Sequence, residues 1–273
     1  MKPTRLVLGL WIGLVSATSA QAAPSQHEQL AAETLELSGA KAIFNSIQIS
    51  AGPSEGKSYQ GPGEEKIIAV MNEPLDVEMG RKMQASSISK NLDDQILKVL
   101  LKWYRSPLWL KIKAQKADAP EDPLHISRLQ YLYELKTRPP TPKRVELLKK
   151  LAKENKSIEM MYEVIGRTAI NLARITSPES SSEKVEDSLS KNKSEQIEAS
   201  KEQYVIRSLY DYRAITDEEL EQFIEFKETE EYLKFEVIIF SSVQVWLNET
   251  LVKKTAETVE QLRRSDYKKG TTL

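Results

Sequence analysis

The residue types that most often carry enzyme chemistry are scarce in this 273-residue chain. It has no cysteine and two histidines, His27 and His125. Thiolate nucleophiles and thiolate metal sites are therefore excluded, and neither histidine has a second one near it in sequence. We interpret both as capping or surface residues rather than as zinc ligands or members of a Ser-His-Asp triad. The sequence thus predicts no metal site and no cofactor.

Carboxylates are the remaining candidates for acid–base catalysis, because the chain has 40 acidic residues. Many of them fall on predicted helix surfaces. Asp217, Glu218 and Glu219 fall in the first turn of a predicted helix, where negative charge is favoured. We interpret the acidic set as solvated helix faces. The sequence has none of the fingerprints of nucleotide, hydrolase or metalloprotease sites, but a carboxylate mechanism stays open.

Aromatic and basic side chains are concentrated between residues 103 and 111. Such side chains can line a ligand groove, although large aromatic residues more often belong to the core. We expect core for most of the wider set, which adds Tyr131, Tyr133 and Trp246. The candidate binding residues are Trp103, Tyr104, Arg105, Ser106, Trp109 and Lys111.

Ser106 and Pro107 interrupt the apolar stretch 100–112, which otherwise has the pattern of one helix. A proline in a helix interior costs about 3 kcal/mol. At the first position of a helix its missing donor costs nothing, and the serine before it can serve as the N-cap. The pair therefore predicts a corner between two helices, 93–104 and 108–117.

A second corner follows 123 residues later. Residues 93–112 align with 216–235 without gaps, and the second corner has Thr229 as its hydroxyl N-cap. A looser match at a shift of 116 relates 35–44 to 151–160. We therefore expect an all-α protein of nine to eleven helices in two similar halves, as a bundle or a helical-repeat array. Aligned pairs include Leu97 with Leu220, Trp103 with Phe226, and Ser106 with Thr229.

The surfaces of the two corners differ in charge. We interpret both as solvated faces. Opposite charge leaves open that the halves dock on each other or that molecules associate head to tail. The basic set of the first corner is Lys98, Lys102, Arg105, Lys111 and Lys113. The acidic set of the second is Glu218, Glu219, Glu221, Glu225, Glu228, Glu230 and Glu231.

Capping residues mark the other helix ends. Ser25 and Glu28 form a predicted capping box, and Gly39 can supply a left-handed helix end, as Asn155 can in the second half. Asp122-Pro123 and Thr141-Pro142 are two further predicted starts. The C-terminal segment 230–264 contains residues with strand propensity, but its apolar residues form two adjacent helical stripes, so we expect a helix.

The N-terminal 22 residues have the pattern of a cleaved signal peptide, with Lys2 and Arg5 before a ten-residue apolar run and an Ala-x-Ala site. Cleavage would leave 251 residues with a net charge of −3, which gives no basic field for nucleic acid. We expect a periplasmic protein without a membrane anchor after cleavage. The predicted units are a signal peptide (1–22), two helical repeat domains (23–138 and 139–264), an exposed loop inserted at 177–195, and a flexible tail (265–273).

The corner sequence "WYRSPLWLK" (103–111) resembles the motif Phe-Tyr-x-Ser-Pro-x-Gly-x-Lys of a bacterial family known as domain of unknown function twenty fifty-nine. The resemblance covers about residues 28–117 and, more faintly, 144–246. Trp109 replaces the usual glycine, and the second corner keeps neither Tyr-x-Ser-Pro nor the glycine. The resemblance implies an exported α-helical module without enzyme activity.

Three functions follow as hypotheses. The preferred one is a non-catalytic periplasmic interaction or scaffold module, which predicts external acids and an exposed apolar patch. The alternatives are a carboxylate-dependent hydrolase or lyase of cell-envelope glycans, and a carrier of a hydrophobic ligand. The enzyme would place an acid inside the fold next to an open cleft, and the carrier would enclose an apolar cavity.

Overall fold

A computed structural model describes residues 24–47, 64–117, 130–176 and 181–268. These residues are mostly α-helical and include no strand, so the predicted all-α fold is confirmed for them. The predicted signal peptide and the helix start at Asp122-Pro123 lie outside the described residues, as does His125.

The helices are given in chain order. The first half contains α1 (Gln26–Ser38), α2 (Ile43–Ser46), α3 (Glu64–Met71), α4 (Val77–Asn91), α5 (Asp94–Tyr104) and α6 (Pro107–Ala117). The second half contains α7 (Pro142–Glu154), α8 (Lys156–Thr176), α9 (Ser181–Asp211), α10 (Asp217–Lys227), α11 (Glu230–Leu247) and α12 (Lys253–Lys268). A π-helical turn, Asn248–Val252, joins α11 to α12, so that the predicted C-terminal helix is continuous.

Several helix ends have the caps that the sequence predicts. Ser25 accepts a hydrogen bond from the backbone of Glu28, whose carboxylate accepts one from the backbone of Ser25. Gly39 ends α1 in the left-handed conformation at φ 74°, and Thr141 caps α7 in front of Pro142. Asn155 differs from expectation, because its φ is −78° and it is not left-handed. Its side chain instead accepts a hydrogen bond from Lys227.

Both predicted corners are present. Ser106 Oγ accepts a hydrogen bond from the backbone N–H of Trp109 at 3.2 Å, and Pro107 is the first residue of α6. Thr229 does the same for Tyr232 at the start of α11. The apolar stretch 100–112 therefore accepts its proline because one helix ends there and another begins.

The two corners pack against each other. The rings of Trp103 and Phe226, which occupy equivalent positions in the alignment, stack 4.3 Å apart and within 9° of parallel. Beside them, Lys111 Nζ lies 2.6 Å from Glu219 Oε2. One hydrophobic core contains buried residues of both halves, such as Leu97 and Leu220. The halves thus dock on each other within the chain, while the domain boundary near residue 139 stays a prediction.

The inserted segment differs from expectation. Residues 181–195 are the first half of the 31-residue helix α9 rather than a loop, although they are mostly exposed as expected. They are held by α8: the hydroxyl of Tyr162 donates to the carbonyl of Leu189 at 2.9 Å, and Lys193 pairs with Glu163. A polar sequence of this kind does not form a stable helix in isolation, and these contacts with α8 stabilise it.

Among the described residues, one helical span, Glu230–Ser265, is long and apolar enough to cross a membrane. More than half of its most apolar 18 residues are buried inside the fold. Val243 and Trp246 are fully enclosed, and Trp246 Nε1 donates to the carbonyl of Asp76 at 2.7 Å. These contacts are those of a core helix.

Candidate functional site

The six residues nominated for binding lie where the corners meet. Trp103 stacks on the second corner, and Tyr104 is 1% exposed. Ser106 is an N-cap, as described above. The indole N–H of Trp109 donates to the carbonyl of Leu37 at 2.9 Å. Arg105 pairs with Glu33 at 2.6 Å and Lys111 with Glu219. Their contacts lie within the fold, and a binding role for them stays a prediction.

A solvent-open groove of about 990 Å³ lies between α8, α9 and α11. Its apolar surface includes two valines of α11 that are about half exposed, Val237 (54%) and Val245 (51%). None of the six nominated residues lines it. The apolar lining residues are Met160, Val164, Ile197, Val237, Phe240 and Val245.

Charged side chains along α8 and α9 border the groove and are paired with each other. Lys193 forms a short hydrogen bond with Glu163, and this bond raises the pKa of Lys193. Lys201 Nζ lies 3.1 Å from Glu159 and 3.3 Å from Glu198. The charged side chains that border the groove are thus paired within the fold. The apolar floor is what distinguishes the groove from the surrounding surface.

A second candidate is a buried polar cluster centred on Lys227, at the end of α10, and Glu236 of α11. Their side chains are 6% and 5% exposed, and Lys227 Nζ lies 3.8 Å from Glu236 Oε1. Lys227 also donates to Asn155 Oδ1 at 3.1 Å and to the hydroxyl of Tyr232 at 2.9 Å. Lysine and glutamate are almost never buried unless they are paired in this way.

Glu236 is incompletely satisfied. Tyr232 donates to its Oε1 at 3.1 Å, and Ser157 forms a short hydrogen bond with the same oxygen. Among the described residues, nothing hydrogen-bonds to the buried Oε2. Burial, followed by the nearby Glu236 charge, raises the pKa of Tyr232 well above its ordinary value. The cluster is therefore a desolvated site with one unused carboxyl oxygen.

The position of Glu236 fits neither of the first two hypotheses completely. An interaction module was expected to have all acids outside, yet Glu236 is inside. The enzyme was expected to place an enclosed acid beside an open cleft, yet Glu236 does not line the groove. The described residues also contain no group of three or more potential metal ligands among His, Asp and Glu.

Sequence reasoning missed this cluster, although a signal was present. Lys227 falls seven residues after Leu220 on the buried stripe of α10, and Glu236 falls four after Tyr232. A charge on an apolar stripe indicates a buried partner. The identity of the partners required the fold, because Asn155 lies 72 residues from Lys227.

Comparison with known proteins found no relative of this chain. No family model matches the chain, and neither a curated protein nor a solved structure is significantly similar to it. The resemblance of the corner motif to the exported helical family therefore stays a prediction, and function has to be argued from geometry.

Proposed function

We propose that this chain is a non-catalytic helical interaction module of the periplasm that takes an amphipathic helix of a protein partner into the groove between α8, α9 and α11. The observation that carries the proposal is the half-exposed apolar floor around Val237 and Val245. An apolar surface bordered by polar residues is typical of a protein-interaction site.

The dimensions of the groove favour a helix as its occupant. Its lining residues on α9 run from Ser190 to Lys201, which at 1.5 Å per residue is about 16 Å, or three turns. Three turns present apolar side chains at i, i+3, i+4 and i+7, the pattern by which helices bind grooves. The paired charges along α8 and α9 match the polar flanks of such a helix.

A catalytic role has less support. The enclosed acid Glu236 is 4% exposed and does not line the groove, so a substrate there would not meet it. The apolar floor is also open to solvent, whereas a carrier shields a hydrophobic ligand by burying most of its surface.

The test is site-specific photocrosslinking in living cells. A photoreactive amino acid replaces Val237 or Val245 in the groove, and Val99 of α5 serves as the matched control because it is a 39% exposed valine elsewhere. We expect one discrete heavier species from both groove positions and none from Val99. Equal labelling at all three positions, or none in the groove, would contradict the proposal.

Export is part of the same proposal. It is supported by the signal-peptide pattern of residues 1–22. Cell fractionation followed by intact mass measurement tests it: we expect the periplasmic protein to begin at Ala23. A full-length cytoplasmic product would overturn it.

A further inference from the structure

From the Lys227–Asn155–Glu236 cluster we infer that this chain forms an internal isopeptide bond between Lys227 Nζ and Asn155 Cγ, with Glu236 as the proton-transfer group. A site whose lysine and carboxylate are 6% and 5% exposed admits no substrate, so its chemistry is confined to groups of the chain itself. The cluster contains an amine, a carboxamide and a carboxyl group, which are the three groups that such a bond requires.

The nucleophile and the electrophile are within reach. Lys227 Nζ lies 3.1 Å from Asn155 Oδ1, so the carbonyl carbon, one C=O bond further, is at most about 4.3 Å away. A turn of the carboxamide about its soft terminal torsion swings Oδ1 aside without moving the carbon, and a shift of about 1 Å in the flexible Lys227 side chain then brings Nζ to the 3–3.5 Å of a near-attack arrangement. Because both groups are fixed in the core, the reaction does not have to bring two molecules together.

Glu236 is placed to take the proton that the amine has to lose before it can attack. Lys227 Nζ lies 3.8 Å from Glu236 Oε1, and both side chains are buried. Transfer of one proton from Lys227 to Glu236 leaves two neutral groups. The free Oε2 of Glu236 has room for that proton.

Ser157 can stabilise the charge that develops on Asn155. Its hydroxyl lies 2.7 Å from Asn155 Oδ1 and also forms the short hydrogen bond with Glu236 Oε1. A hydroxyl has a single hydrogen, so Ser157 donates to one of these oxygens at a time. When it donates to Asn155 Oδ1, where negative charge develops during attack, it stabilises that charge as an oxyanion-hole donor does.

The reaction balances without an oxidant or a co-reactant. The Lys227 amine forms a C–N bond to Asn155 Cγ, and the bond from Cγ to Nδ2 breaks. Glu236 gives its proton to the leaving nitrogen and then takes the second proton from the attacking nitrogen, so that ammonia departs and Glu236 ends protonated. The product ties the α7–α8 junction to the end of α10. A chain without cysteine would thereby gain a covalent cross-link that a disulfide cannot provide.

Mass spectrometry of the full chain, purified after expression in bacteria, tests the inference. We expect the protein to be lighter by about 17 Da, the mass of ammonia. After digestion we expect a branched peptide that joins the segment with Asn155 to the segment with Lys227. A mass equal to that of the unmodified polypeptide would overturn the inference, as would a loss of about 18 Da from condensation with Glu236.

Variants separate the cross-link from other losses of ammonia. Lys227→Arg keeps the charge but removes the amine, so the loss should disappear. A loss that persists in this variant would come from cyclisation of Asn155 on the backbone and would contradict the inference. Glu236→Gln should lower the cross-linked fraction by about tenfold or more. Exposed Glu230→Gln on the same helix, the control, should leave it unchanged. The branched peptide in the unaltered chain is decisive even where a variant fails to fold.

Discussion

Two glycines inside helices differ in the space beside them. A Cβ on Gly80 of α4 would lie 2.6 Å from the ring carbon Cδ1 of Phe44, which is itself 1% exposed. A Cβ on Gly166 of α8 would lie 3.6 Å from Leu189 Cδ1, an ordinary van der Waals distance. Packing therefore requires a glycine at position 80. At position 166 there is room for alanine, which has a higher helix propensity than glycine.

We therefore expect opposite effects from the same substitution. Gly80→Ala should lower the free energy of unfolding by about 1–3 kcal/mol, because Phe44 has to move out of a filled site. Gly166→Ala should leave it unchanged or raise it by up to about 1 kcal/mol. Urea unfolding followed by circular dichroism measures both, and a Gly80→Ala protein as stable as Gly166→Ala would contradict the packing argument.

His27 connects three helices through both nitrogens of its ring. Nδ1 lies 2.6 Å from Asp94 Oδ1 at the start of α5, and Nε2 lies 2.6 Å from the carbonyl of Ser89 in α4. With an acceptor opposite each nitrogen, the doubly protonated ring fits best. The hydrogen bond to Asp94, followed by that to Ser89, raises the pKa of His27 above its usual 6.5.

This raised pKa makes part of the stability depend on pH. The contribution of His27 is fully present below pH 6.5, the value in the unfolded chain, and is lost as pH rises through the higher pKa of the folded state. Thermal unfolding of the original protein and of His27→Gln should therefore differ more at about pH 5.5 than at about pH 8.5. An equal difference at both values would show that the charged ring is not what stabilises the contact.

At the scale of single helices, the corner depends on the cap of α6. Ser106→Ala should cost about 1 kcal/mol of stability, because the backbone N–H of Trp109 loses its acceptor. Ser106→Asp should be nearly neutral, since aspartate caps equally well. Thr229→Ala is the matched change at the second corner and should cost a similar amount. Equal destabilisation by Ser106→Ala and Ser106→Asp would mean that the hydroxyl has another role.

The helices that sequence predicts well are those whose signals are local. Thr216 and Glu219 form a capping box within four residues, and the corner at Ser106 depends on two adjacent residue types. The first half of α9 could not be found this way. Its Ser-, Lys- and Glu-rich sequence has no apolar stripe, and its order depends on pairs such as Lys193–Glu163, whose partner lies 30 residues away.

The same limit applies to the candidate sites. Most of the aromatic residues in the wider set were expected to be core. Tyr104 and Trp246 are buried and Trp103 and Trp109 are half-buried, but Tyr133 is 68% exposed. The groove arises from side chains on three helices that are distant in sequence, and its lining residues share no local pattern. Asn155 was assigned a helix-end role by residue type alone, whereas its side chain meets Lys227 only through the tertiary fold.

At the scale of the whole molecule, the basic and acidic corners meet inside one chain. Of the basic residues of the first corner, Lys111 reaches an acid of the second, Glu219, while Arg105 pairs with Glu33 and Lys98 lies 3.9 Å from Asp94. The halves also meet where α11 packs along α4 and where Trp103 stacks on its aromatic partners of α10. Aromatic stacking in a shared core is insensitive to salt, in contrast to exposed charge pairs.

A shared core predicts that the two halves unfold together. Leu97 and Leu220 occupy equivalent positions in the predicted repeat, and both are completely buried in the same cluster. Leu97→Ala and Leu220→Ala should each cost about 2–5 kcal/mol, since each leaves a cavity in a filled core. Each should move one single urea transition, seen alike by helical circular dichroism and by tryptophan fluorescence, although the two leucines belong to different halves. Two transitions, with each substitution displacing only one of them, would instead show that the halves are independent domains joined by the corner stack.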